Sequence, residues 1–212
     1  MNEKLWVGNN IPFENRVLIL GESHYDADAN KGEKVSFTTS EVVECYLHEK
    51  RKRWARFFDY VALTFGYSKE TASDFYEKII FGNYIDVVCG IGKNNTAAQY
   101  ADKERLRLNN EWFDYINCNN IAAVVCFSKL AYNHFPGLNG MGENISVKID
   151  FRGTVDYCNY QAHCFYMNCD IRLKKELWVY GINHPSARQK FCAERVYDFF
   201  RTQPCLNFLM PT

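Results

Sequence analysis

No apolar run in this chain approaches the ~20 residues a bilayer-spanning helix requires, so a transmembrane helix is not expected. The opening Met1–Asn10 mixes charged and polar side chains with apolar ones, and no secretory signal is expected there. Neither sign of charge is in excess, with 25 Lys+Arg against 25 Asp+Glu. A protein that captures duplex DNA by charge alone carries a basic surplus or a concentrated basic face. Proline is scarce, at 5 residues, and no Pro/Gly-rich linker, internal repeat or low-complexity tract interrupts the sequence. One folded unit over residues 1–212 is therefore expected. The nine cysteines include no Cys-x-x-Cys pair. Cys89, Cys126 and Cys164 lie inside apolar runs, where cysteine acts as a small buried hydrophobe. Reduced thiols and a cytoplasmic location follow as the simplest reading. Cys158, His163, Cys164 and Cys169 match no standard zinc spacing and read as strand thiols, so no metal is expected.

A hydrophobic fraction of 47% is enough for a packed core. Four short apolar runs rich in β-branched and aromatic residues read as buried strands: Arg16–Leu20, Ile121–Phe127, His163–Met167 and Leu177–Ile182. Tyr84–Cys89 reads as a weaker fifth. Helical spacing of apolar residues marks Glu41–Phe65, with Ser40 as its N-cap and Glu41 and Glu44 in its first turn. Ser68–Phe81, Asn95–Ile116, Ser128–His134 and Ala187–Phe200 complete the helical pattern. Strands alternating with helices imply an α/β fold: a three-layer α/β/α sandwich around a short, mainly parallel sheet, with a helical insertion around residues 40–82.

In such sheets ligands bind where loops leave the carboxyl ends of the strands. Two of those loops carry unusual chemistry. Gly21-Glu22-Ser23-His24-Tyr25 follows the first strand, and Asn183-His184-Pro185-Ser186-Ala187-Arg188 follows the last. Either alone is consistent with ordinary loop roles: a tight glycine turn with polar caps, or a proline and serine opening a helix.

Taken together and in this order, the two loops resemble the signature motifs of the uracil-DNA glycosylase superfamily. The first motif of that family is Gly-Gln-Asp-Pro-Tyr-His, or Gly-Glu-Ala-Pro-Gly in another branch. The last is His-Pro-Ser followed by a small residue and a wedge residue, which His184-Pro185-Ser186-Ala187-Arg188 matches closely. Tyr84-Ile85-Asp86-Val87-Val88 resembles the family's Tyr-Ile-Thr-Asn-Val-Val strand, and Ile121–Phe127 with Ser128-Lys129 resembles the strand and small-residue turn that come next. The resemblance spans most of Arg16–Arg188.

It implies a glycosylase that draws a nucleotide out of the stack and hydrolyses the N-glycosidic bond of uracil or a related damaged base. Glu22 would be the carboxylate that stabilises the cationic sugar and orients water. His184 would be the donor to the departing base. Gly21, Ser23, His24, Tyr25, Phe37, Asp86 and Ser186 would form the base pocket, with Tyr25 crowding a C5 methyl group and Phe37 as an aromatic platform. Arg188, flanked by Pro185 and Ala187, would enter the duplex or hold a phosphate. DNA bearing a damaged base would be the partner, with no cofactor, no membrane and a monomeric protein expected. The chain departs from the family at Ser23 (commonly Asp), His24 (commonly Pro) and Asp86 (commonly Asn). An amide both donates to and accepts from uracil, whereas a carboxylate only accepts. Reading by Asn83 or Asn94 instead would restore the amide.

Two other readings stay open. One is a divergent member that binds nucleic acid or a nucleotide without efficient cleavage, which neutral charge, Ser23 and Asp86 favour. The other is a hydrolase using Glu22-x-His24 as acid/base or metal ligands, which leaves His184–Arg188 unexplained. The basic run Lys50-Arg51-Lys52-Arg53 with Arg56 reads as a solvated helix face balanced by Glu41, Glu44 and Glu49, with phosphate contact as the alternative. Trp54, Phe57 and Phe58 read as core.

Overall fold

The computed structural model describes residues 5–24, 37–49, 54–90, 95–135, 147–157, 160–169, 177–186 and 191–211. The described residues form seven strands: β1 (Trp6–Val7), β2 (Arg16–Gly21), β3 (Ile80–Asn83), β4 (Ile121–Cys126), β5 (Val147–Tyr157), β6 (Tyr160–Cys169) and β7 (Leu177–Gly181). They form one sheet in the order β1-β3-β2-β4-β7-β6-β5. The four central strands β3, β2, β4 and β7 are mutually parallel, while β1 at one edge and the β5–β6 hairpin at the other are antiparallel.

Helices α1 (Thr39–Glu49), α2 (Ala55–Leu63), α3 (Ala72–Tyr76) and α6 (Ala193–Phe200) bury side chains against one face. Helices α4 (Ala97–Cys118) and α5 (Lys129–His134) cover the other. Alternation within β2 shows why the strand is apolar throughout. Val17 and Ile19 belong to the first cluster, Leu18 and Leu20 to the second, and none of the four has any exposed surface. Burying such a side chain fully contributes about 1.5–3 kcal/mol, so a strand covered on both faces leaves no room for polar alternation.

The strands expected at Arg16, Ile121 and Leu177 are found with ends shifted by at most one residue. Five expectations need correction. The central strand beside β2 is Ile80–Asn83, not Tyr84–Cys89. Ile80 packs into one cluster and Phe81 into the other, as a strand requires and a one-sided helix does not. Helix α3 accordingly stops at Tyr76 rather than running to Phe81. Tyr84–Cys89 leaves the ladder as a loop whose sole bridge pairs Val88 with His24. The long helix from Glu41 divides into α1 and α2, and α1 is capped two residues before Ser40. Thr38 Oγ1 accepts from Glu41 N at 3.3 Å while Glu41 Oε2 accepts from Thr38 N at 2.6 Å, a reciprocal capping box. The last helix begins at Ala193 rather than Ala187. The strand at His163–Met167 runs longer, Tyr160–Cys169, and pairs with β5, which is not among the expected strands.

Helix α4 is released into β4 by Asn120, whose φ of 55° lies in the left-handed region that asparagine tolerates better than most residues. Among the described residues no helix is long and apolar enough to cross a membrane.

Candidate functional site

The connection leaving β2 leads to β3 on one side of it, and the chain reaches β7 on the far side of β4. Loops leaving the carboxyl ends of β2 and β4 therefore diverge and open a crevice, the place where open parallel sheets bind ligands. The strand ends are pinned there by backbone hydrogen bonds that continue the sheet. Tyr84 N donates to Gly21 O and Ile85 N to Glu22 O, both at 3.0 Å. Phe127 N donates to Leu20 O and Ile182 N to Cys126 O, both at 2.8 Å.

Glu22 projects from the end of β2 and bridges this crevice. Its Oε2 accepts from Ser128 Oγ at 2.8 Å, and its Oε1 accepts from Asn95 Nδ2 at 3.3 Å. Ser128 is the N-cap of α5, and Asn95 caps the start of α4 by accepting from Ala97 N at 2.7 Å. The carboxylate is thus held from two helix starts on the same side of the sheet.

His184 follows β7. Its Nδ1 accepts from Ser186 N at 3.2 Å. A backbone N–H can only donate, so Nδ1 carries no proton and the neutral ring bears its hydrogen on Nε2. Ser186 Oγ lies 2.7 Å from the same Nδ1 and donates to it. Burial pushes the imidazole pKa below its ordinary value, and the Glu22 charge opposes that shift without cancelling it. Glu22 and His184 therefore share one electrostatic environment, with an ionic acceptor and a neutral N–H donor.

Phe57 of α2 covers the same corner. Its ring centroid lies 5.1 Å from that of His184 at an interplanar angle of 30°, and the ring is only half-buried. Phe58 is core, but Trp54 is 39% exposed, so the three aromatics expected in the core are divided among core, site and surface. Asn83, at the end of β3, places its Oδ1 against the α-carbon of Gly21 and its Nδ2 3.5 Å from His24 Nε2.

Asp86 is turned to another use. Both of its oxygens accept from Arg107, Oδ1 from Nη2 at 3.1 Å and Oδ2 from Nη1 at 3.2 Å. Glu104 and Glu111 join on the same guanidinium. Asp86 foremost holds the Arg107 pKa above its ordinary value against the opposing cost of partial burial.

Ser23 and His24 are buried, each 4% exposed. Ser23 Oγ lies beside the Cys89 thiol, a weak partner, and makes no hydrogen bond of normal geometry. Burial pushes that thiol up to about 11, which makes Cys89 a packing residue rather than a nucleophile. Phe37 meets His24 edge-on at 6.0 Å and is not seen against His184. Pro185 is buried and Ser186 exposed. Tyr25, Asn94, Ala187 and Arg188 lie outside the described residues, as do Lys50–Arg53 and Cys158. Among the described residues no group of three His, Cys, Asp or Glu side chains is placed to hold a metal ion.

Gly21 and Glu22 thus lie at the carboxyl end of β2, and His184, with Ser186 on its Nδ1, lies after β7 within reach of the Glu22 charge. Phe57, Ser128 and Asn95 were not singled out for the site. Ser128 had one usable signal: a hydroxyl directly after a fully buried strand, at the start of a short helix. No family model matches the chain, and no curated protein matches it.

Proposed function

We propose that the chain is a DNA-base glycosylase of the uracil-DNA glycosylase type, hydrolysing the N-glycosidic bond of uracil or a related damaged base in the crevice between β2 and β4. The observation that carries this reading is a His184 that bears its proton on Nε2 and lies within reach of the charge of Glu22, which is itself held by Ser128 and Asn95. Departure of a base needs a negative charge near the sugar cation and a hydrogen-bond donor at the base oxygen that gains charge. Glu22 supplies the first and can orient the attacking water, and His184 Nε2–H supplies the second. Asn83 supplies the amide that accepts from and donates to a uracil edge. Phe57 supplies the face on which the base stacks. The α/β/α layering and the parallel order of β3, β2, β4 and β7 suit the same fold type.

A binding role without efficient cleavage has one observation in its favour. Both Glu22 oxygens already accept hydrogen bonds from the protein, as they would in a residue that only shapes a pocket.

End-labelled oligonucleotides carrying uracil, hypoxanthine, xanthine or 5-hydroxymethyluracil, single- and double-stranded, separate the two readings. The glycosylase reading predicts abasic sites on at least one substrate, lost in Glu22→Gln. Retained binding with no abasic product from any substrate at enzyme excess moves the assignment to the binding role.

A further inference from the structure

Ser128 Oγ sits at the meeting point of two structural demands. It accepts from Leu130 N at 3.1 Å and from Ala131 N at 3.3 Å, closing the start of α5. It donates to Glu22 Oε2 at 2.8 Å. A hydroxyl has two acceptor sites and one proton. With both backbone N–H groups on its oxygen, its single proton has one direction left, toward Glu22. The residue is 1% exposed, its backbone is extended at φ −161°, and the adjacent Phe127 N–H is tied to Leu20 on β2. Neither rotation of the hydroxyl nor drift of the turn is free.

Resting on the glycosylase reading, we infer that Ser128 is a positioning residue for the reaction: its one-way hydrogen bond fixes the Glu22 carboxylate across the crevice. Asn95 holds Oε1 from the other side, so two donors define the carboxylate plane. The helix cap and the carboxylate clamp are the same oxygen atom, which ties the aim of Glu22 to the integrity of the β4–α5 turn. A carboxylate free to swing would still bind substrate beside it, but would spend less time aimed at the sugar, and small misplacements of catalytic groups cost up to about 100-fold in rate.

Three variants separate the clamp from the cap. Glycine is nearly as good as serine at an N-cap but has no hydroxyl. Ser128→Gly should therefore melt near the wild-type temperature, lose about 10- to 100-fold in kcat, and keep its KM. Ser128→Thr keeps the hydroxyl and should restore kcat to within about threefold of wild type, within the spread expected for a retained contact. In a Glu22→Gln background Ser128→Gly should add no further loss of the residual rate, because the group it positions is already gone. A Ser128→Gly protein that keeps wild-type kcat, or that loses the same factor with Glu22 and with Gln at position 22, overturns the clamp and leaves the glycosylase reading standing. A well-folded wild-type protein inactive on all four lesions overturns the reading beneath it, and the clamp's role with it.

Discussion

The side-chain oxygen of Asn83 occupies the space that a β-carbon on Gly21 would need. Two residues 62 positions apart in sequence are thereby fixed against each other at the ends of paired strands β2 and β3, where Gly21 aligns with Asn83. Gly21 has no left-handed φ, so the requirement for glycine is one of space and not of backbone conformation. Gly21→Ala should displace the Asn83 amide while leaving the strand intact. The expected result is a loss of base release of about 10- to 100-fold, the scale of a misplacement near 1 Å. Thermal melting alongside steady-state kinetics checks that the fold survives.

Asp86 and Asn83 offer a direct contrast. Asp86→Asn breaks a bidentate pair with an arginine whose side chain is 36% exposed. Solvent screening limits the cost to about 1 kcal/mol or less, measurable by urea unfolding, and base release should stay close to wild type. Asn83→Asp removes the amide donor and should sharply reduce release of uracil with little change in stability. Equal effects of the two substitutions on release would contradict the assignment of Asn83 as the reading residue.

His184 makes a pH prediction with a definite sign. Its folded pKa is depressed, chiefly by burial, while the unfolded chain titrates near the ordinary value of 6.5. Above pH 6.5 neither state takes up the proton, and the group adds no pH dependence. As pH falls through 6.5 the unfolded chain binds the proton first, so stability falls, and it levels off only below the folded pKa. Urea unfolding at pH 7.5 and 5.5 should show a smaller acid loss for His184→Asn than for wild type. A larger loss in the variant would reverse the sign.

Phe57 touches both the core and the His184 ring. Phe57→Leu keeps the apolar contact and removes the flat face. Base stacking on an aromatic is worth about 1–3 kcal/mol, so KM for the damaged oligonucleotide should rise about tenfold or more with a small drop in melting temperature. Unchanged KM would place the base elsewhere.

The sequence disclosed those parts of the molecule governed by local pattern. Buried strands β2, β4 and β7 are short and almost wholly apolar, and the motifs that follow β2 and β7 are each compact enough to read as a unit. Ile80–Asn83 was hidden because Gly82 and Asn83 weaken its strand signal, while Ser68–Phe81 preceding them carries helical spacing. Its neighbour Tyr84–Cys89 has the better strand composition but is diverted once Tyr84 and Ile85 bond to Gly21 and Glu22. That shift of a few residues exchanges Asp86 for Asn83 at the crevice. Ser128 and Phe57 were not legible as site residues because their roles depend on contacts with Glu22 and His184, 106 and 127 positions away in sequence. Long-range contacts of that kind leave no periodic trace.

The proposed chemistry needs Glu22 and His184 together to break an N-glycosidic bond. Release of free base from a uracil-containing single strand, followed at enzyme excess for wild type, Glu22→Gln and His184→Asn, tests it most directly. Wild type should yield free base and abasic sites in equal amount, with each variant slower by about 100- to 1,000-fold, the usual cost of losing one such group. Base release that proceeds undiminished in both variants, or no release of uracil or of the other three lesions by folded wild-type protein, would contradict it.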